Sequence, residues 1–278
     1  MTGRNGINWT REETILAFDL YCRTPFSKIS QSNKEVMELA RLLRRTPGSI
    51  ALKMQNLAHY DPCLRERNVT AMAHTSKLDR QIWEEFEDNW EELSFCAQEI
   101  LATRKSVRVE EVVNIDIDEI PEGEYREQIM KRRVGQYFFR MSVLNSYNYS
   151  CCITGIKKPE ILIASHIKPW KRSDAKTERA NPSNGLCLNA FHDKAFDKGF
   201  ITLDSQYRVI ISKYLIDAEM DDDTKKWILG YENKPIILPD RFEPGKSLSN
   251  IIMIKSSFDN LSLSGIYEMK KGDYSNEW

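Results

Sequence analysis

Histidine is scarce in this chain: there are four, and two of them, His166 and His192, lie in its most organised polar stretch. His166 ends an apolar run (LIASHIKPW) just ahead of a proline-containing turn, which sets an imidazole at the end of a strand, facing a cleft. By itself such a histidine could equally be a hydrogen-bonded structural group. Further on, NGLCLNAFHDKAFDKGF opens with Asn184 and Gly185 and runs into a short helix bearing His192, Asp193, Phe196 and Asp197. These residue types suit phosphodiester hydrolysis, which needs a base to deprotonate water and a divalent cation to neutralise the phosphorane and the departing 3′ oxygen. A histidine near its ordinary pKa meets the first need. Carboxylate and imidazole ligands on a helix meet the second, since Mg²⁺ takes only one or two carboxylates and keeps several waters.

The elements that must hold these groups begin with a helical stretch from Trp9 to about Asp61. Thr10 followed by Arg11, Glu12 and Glu13 reads as an N-cap and an acidic first turn, with Ile15, Leu16, Phe18 and Leu20 on the inner face. Glu35, Val36, Leu39, Ala40, Leu42 and Leu43 have helical spacing, and Arg45-Thr46-Pro47-Gly48-Ser49 reads as a turn capped by Thr46. A third helix over 47–57 turns Ile50, Met54 and Leu57 inward and Ser49, Lys53, Gln55 and Asn56 outward. That order is what a helix-turn-helix reader needs, so Arg45, Ser49, Lys53 and Gln55 are candidate DNA contacts, although small bundles without DNA share the pattern. Residues 74–96 predict one further amphipathic helix with Leu78, Ile82, Trp83, Phe86 and Trp90 on one side. An acidic stretch from Ser106 to Glu124 separates this half from a helix over 125–149. Short strands are expected at 150–153 and 160–164, then a charged, Asn- and Pro-rich loop to Asn184. ITLD-SQYR-VIIS predicts a β-hairpin, and DDDTKKWILGY a helix in the tail.

The 278 residues, 41% hydrophobic and 29% charged, describe a folded chain of about two domains. No stretch reaches the roughly 18 apolar residues of a membrane span, and the first residues lack the apolar run of a secretory signal, so a cytoplasmic protein without membrane partners is expected. Six cysteines are too sparse for a disulfide framework, and none has C-x-x-C spacing. With a net charge of −1, nucleic-acid affinity must come from local patches. Arg41, Arg44, Arg45 and Lys53 form one, Lys131, Arg132, Arg133 and Arg140 another, unless either is simply a solvated helix face.

Four pieces in order, RVGQYFFRMSVLNSY, CCITG, ILIASHIKPW and NGLCLNAFHDKAFDKGFITLD, together resemble the HNH, or ββα-metal, nucleases in their bacterial restriction-like branch over about residues 130–205. The resemblance implies an α+β protein: a helical, helix-turn-helix-like DNA-recognition domain over 1–105, an acidic linker over 106–124, and an HNH nuclease domain with a C-terminal extension over 125–278. It implies that His166 is the general base, that Asn184 braces the loop orienting it, and that Asp193, with His192 as the alternative, binds catalytic Mg²⁺ or Mn²⁺. His192 thus joins His166 and Asn184 in the catalytic series, and Asp197 is either a weaker metal partner or a cap tying the helix to Gly199. Ser165 departs from the family pattern, because many HNH nucleases place an acidic or His ligand immediately before the base. A second departure is that Cys152 offers only one thiol where some relatives carry paired cysteines, so no structural zinc is expected. Lys168, Lys171 and Arg172 beside the base suit phosphate contacts, with Trp170 either joining them or packing against the core. Arg133, Gln136 and Arg140, at i, i+3 and i+7 of one helix, either hold the DNA backbone or pair with the acidic linker. The N-terminal segments also resemble the front module that accompanies this nuclease type in bacterial proteins. The implied activity is a metal-dependent endonuclease on double-stranded DNA, in restriction or phage defence, leaving a 5′ phosphate and working as a possible homodimer. The alternative is a DNA-binding regulator whose HNH-like domain is inactive.

Overall fold

The computed structural model describes residues 7–67, 75–113 and 125–244. Helix α1 (Arg11–Cys22) starts on the capping box read from the sequence: Thr10 Oγ1 accepts from the Glu13 amide, and the Glu13 carboxylate accepts from the Thr10 amide. Every residue from Glu13 to Cys22 is buried, so α1 is the axis of the helical half rather than a helix with one inner face. Around it lie α2 (Lys34–Leu43), capped by Asn33, and α3 (Pro47–Ala58), capped by Thr46 with Pro47 in its first turn. Arg44 joins them in a left-handed conformation at φ 54°. A short α4 (Pro62–Glu66) follows.

Two expected DNA contacts on this half are corrected. The Arg45 guanidinium is buried, pairs with Glu13 at 2.6 Å and lies 4.3 Å from the centre of the Trp9 ring. Lys53 turns inward to fully buried Asp79 at 2.5 Å, its ammonium 4.7 Å from the same ring. A buried cation stripped of its partner costs about 3–5 kcal/mol, so neither side chain is available to a phosphate. The helix predicted over 74–96 is also two helices, α5 (Lys77–Phe86) and α6 (Trp90–Lys105). The chain breaks at Asn89, at φ −149° and ψ 58°. The break brings Trp83 and Trp90 to the same ring, Phe18, at 4.8 and 6.0 Å.

Part of the expected acidic linker is helix α7 (Val109–Val113), tied to the next helix by Arg126–Glu110; residues 114–124 lie outside the described residues, as does the C-terminal extension beyond 244. Helix α8 (Tyr125–Ser146) packs on α6 and faces both halves. Its neighbouring phenylalanines diverge: Phe138 joins the helical core beside Trp90, while Phe139 enters the second core. That second core is built on β1 (Leu162–His166) paired antiparallel with β2 (Gly185–Asn189), with His166 opposite Gly185, followed by α9 (Ala190–Asp197). These three elements are a ββα unit, and the fold is α+β. The hairpin follows as β3 (Ile201–Leu203) and β4 (Val209–Ile211), then short α10 (Lys213–Ile216) and the expected tail helix, α11 (Asp222–Leu229).

The strand expected at 150–153 is instead a turn, closed by Gly155 N–H to the Cys151 carbonyl with Gly155 at φ 73°. The partner of β1 is β2, whose residues are all buried. A strand buried on both faces shows no alternation, so its pattern gave no strand signal. Arg241, fully buried, crosses from the tail to the end of α1, donating to the carbonyls of Tyr21 at 2.7 Å, Cys22 at 3.4 Å and Thr24, with its guanidinium 4.5 Å from the Tyr21 ring. The six cysteines are free thiols, and among the described residues no helix is long and apolar enough to cross a membrane.

Candidate active site

His166 stands at the end of β1 because the strand stops where Pro169 removes a donor and the 3₁₀ turn Trp170–Arg172 begins. The loop from there to β2 is organised by buried Asn184. Its Oδ1 accepts from the Lys168 amide at 2.8 Å, while Nδ2 lies within hydrogen-bond distance of the carbonyls of Lys168 and Glu178 and of Ser173 Oγ, at 3.2 to 3.3 Å. Lys168 Nζ pairs with Glu178 at 2.5 Å, and the same carboxylate accepts from the Asp174 amide. The outcome of this bracing is that the Arg179 carbonyl meets His166 Nε2 at 3.0 Å.

A carbonyl can only accept, so Nε2 must carry the proton, and the neutral ring keeps its lone pair on Nδ1. The imidazole lies flat on Phe139, 3.8 Å between ring centres and 12° from parallel, with Trp170 edge-on at 5.5 Å. Burial pushes the His166 pKa below its ordinary value, opposed by the Arg179 carbonyl and by the charge of Asp197. The ring is thus neutral at pH 7. Its close fit to α8 explains Gly185, whose backbone is ordinary extended chain at φ −127°. A β-carbon there would stand 2.9 Å from Phe139 Cζ and closer still to a methyl of Val143.

The ring borders a cleft of about 290 Å³ lined in part by Arg132, Gln136, Arg140 and Lys171. Of the expected phosphate contacts, Gln136, Arg140, Lys171 and Arg172 are exposed, and the first three border the cleft; Arg140 also donates to the Leu162 carbonyl at 3.0 Å. Arg133 is half-buried and does not line the cleft, and Lys168 is engaged by Glu178. In the helical half, Ser49 borders a separate hollow and Gln55 is half-buried. Arg132, Phe139 and the Arg179 carbonyl were not read as parts of the setting of His166, whereas Trp170 was expected beside it and stands edge-on to the ring. A main-chain carbonyl has no residue signature, whereas the aromatic pair in QYFFR offered one for Phe139.

On α9, Asn189 caps the helix, accepting from the His192 amide at 2.9 Å and meeting His192 Nδ1 at 3.0 Å. The His192 ring is wholly buried among Phe191, Trp227 of α11 and Tyr231, with Nε2 unpartnered among the described residues. Burial alone pushes its pKa down to about 4. Asp193 and Asp197, four apart, share a helix face, and Asp197 is exposed. The closure onto Gly199 is made by backbone, Gly199 N–H to the Phe196 carbonyl and Phe200 N–H to the Ala195 carbonyl, rather than by the Asp197 side chain.

Among the described residues, no three His, Cys, Asp or Glu side chains converge as a metal cage. Ser165, before His166, is buried with its Oγ unpartnered among the described residues. The donors on hand, the α9 carboxylates and an orphaned imidazole nitrogen, fit a hard cation that completes its shell with phosphate oxygens and water. No curated protein matches the chain. Residues 151–204, which carry His166, Asn184, His192, Asp193 and Asp197, match the HNH endonuclease family model HNH_2.

Proposed function

We propose that this protein is a divalent-metal-dependent endonuclease acting on double-stranded DNA, in restriction or phage defence. An HNH domain points to nuclease activity on nucleic acid, and nucleases of this type generally use a divalent metal ion. The observation that carries the finer reading is the fixed tautomer of His166, whose anchored Nε2 leaves Nδ1 as the proton acceptor of a ring bordering a cation-lined cleft. In the reaction, Arg140, Gln136 and Lys171 receive the phosphate backbone along α8 and the loop. His166 Nδ1 takes a proton from the attacking water, and the ring's stack on Phe139 keeps it from tilting as it charges. Asn184 acts as a positioning residue, holding the loop whose Arg179 carbonyl fixes the ring. Asp193 and Asp197 would hold Mg²⁺ or Mn²⁺, with His192 joining only if Trp227 and Tyr231 move off it. The bound ion supplies charge neutralisation at the phosphorane and the leaving 3′ oxygen. The products would be a 5′ phosphate and a 3′ hydroxyl. One such centre cuts one strand, so a homodimer would cut both, and the helical half would select the DNA in a cytoplasmic setting.

A second reading, a DNA-binding regulator with a silent HNH unit, is favoured by Ser165 and by the absence of a three-ligand cage among the described residues. Supercoiled plasmid and phage DNA, methylated and unmethylated, incubated with Mg²⁺ or Mn²⁺ separates the two. Nicking that EDTA and His166→Ala both abolish is expected. Folded protein that binds DNA equally well in EDTA, cuts nothing and is indifferent to His166→Ala would establish the regulator.

A further inference from the structure

A second concavity, of about 430 Å³, lies in the helical half, away from His166, and falls within the roughly 300–1,000 Å³ range of small-molecule sites. Its walls come from Trp9, from Ser49, Leu52 and Asn56 of α3, and from Ser76 with Asp79 at the start of α5. The cations of Arg45 and Lys53 lie over the Trp9 ring, 4.3 and 4.7 Å from its centre, and hold it as a rigid aromatic wall. Leu52 is an apolar side chain of α3 left 42% exposed. Lys53 is neutralised by Asp79 within the wall, so the hollow itself holds no net charge and does not call for an anion. Asn56 Oδ1 is shut from solvent with no hydrogen-bond partner among the described residues, an acceptor left over once the helix is packed. Asn56 lines the hollow, and its amide carries an acceptor and two donors on a soft terminal torsion. Lys77 and Arg80, beside Ser76 and Asp79 in the chain, are exposed.

We propose that this hollow is a nucleobase pocket: a flat heteroaromatic ring enters between Trp9 and Leu52, its polar edge reads Asn56 and Ser49, and its phosphate stays outside with Lys77 and Arg80. The α3 face expected to lie in a groove is instead the wall of a recess, which suits one base taken singly rather than a row of base edges. The base arrives either extruded from a duplex or as a free nucleotide, and neither source requires the nuclease reading to hold.

Isothermal titration of the full chain with the four deoxynucleoside 5′-monophosphates, in EDTA, tests the pocket. At least one should bind, with Asn56→Ala and Leu52→Glu each weakening it tenfold or more while melting temperatures stay near wild type. A duplex carrying 2-aminopurine distinguishes the sources: a fluorescence rise on binding that Asn56→Ala abolishes assigns an extruded base, and nucleotide binding without that rise assigns a free nucleotide. Folded protein that binds none of the nucleotides and gives no rise, or binding indifferent to both substitutions, overturns the pocket. Plasmid nicking that persists in that case leaves the nuclease reading standing.

Discussion

Replacing Gly185 with alanine perturbs the seat of His166, the proposed base, without touching any polar group. The new methyl would stand 2.9 Å from Phe139 Cζ and inside contact distance of a Val143 methyl. Carbon atoms rest at about 3.5–4.0 Å, so Phe139 must yield by roughly 0.6–1 Å and Val143 by more. Both sit on α8, and Phe139 is the plate on which His166 lies. Overpacking of this size costs about 1–3 kcal/mol, or a fall of roughly 2–10 °C in Tm for a chain of this length. A base displaced by about 1 Å loses on the order of 100-fold in rate. Thermal melts and single-turnover nicking of supercoiled plasmid read the two effects. Val143→Ala removes the closest clashing atom, so the double variant should recover part of the lost stability, a coupling of about 1 kcal/mol. Wild-type Tm and rate in Gly185→Ala, or strictly additive effects in the pair, would refute the claim that this glycine exists to seat α8 against the base.

Four other outcomes follow from the same geometry. Asn184→Ala takes the partner of the Lys168 amide and one of the donors to the carbonyls of Lys168 and Glu178, and should cost about 1–3 kcal/mol in a denaturant melt, with kcat falling more than KM rises; equal changes in both would count against a positioning role. Because burial depresses the His166 pKa, the acid limb of the nicking rate should lie below the pH 6.5 of an ordinary histidine; a limb above that pH would contradict the burial argument. His192 stays neutral in the fold to about pH 4 while the unfolded chain takes up its proton near 6.5, so stability is lost as pH falls between those values, by about 3 kcal/mol in total. His192→Gln should flatten that part of a stability-versus-pH curve, and parallel curves would show that the ring titrates normally. Arg241→Met removes the side-chain donor to the carbonyls of Tyr21, Cys22 and Thr24 at the end of α1, for about 1–3 kcal/mol; a melt unchanged from an exposed control such as Lys176→Met would mean the tail does not clamp that helix.

Much of this molecule was legible before any fold was known, where the signal lies within a few residues. The caps at Thr10 and Thr46, the stop at Pro169, the hairpin from Ile201 to Ile211 and the tail helix each follow from neighbours interacting along the chain. The residues of the HNH series and their order were readable in the same way. What tertiary structure alone decided are the pairings between distant residues. Whether Arg45 and Lys53 face DNA or the interior depends on Glu13 and Asp79, 32 and 26 positions away, and nothing in helical spacing reveals a buried partner. The break between Trp83 and Trp90 is imposed by the need of both rings to reach Phe18. Strand β2 declares itself only against β1, because its uniform burial erases the alternation that marks a strand. The tautomer of His166 rests on a main-chain oxygen 13 residues downstream, and every residue has such an oxygen. Side-chain types and short spacings set which chemistry was within reach; the fold chose which copies of those side chains meet solvent, because burial and pairing depend on contacts that only the folded chain creates.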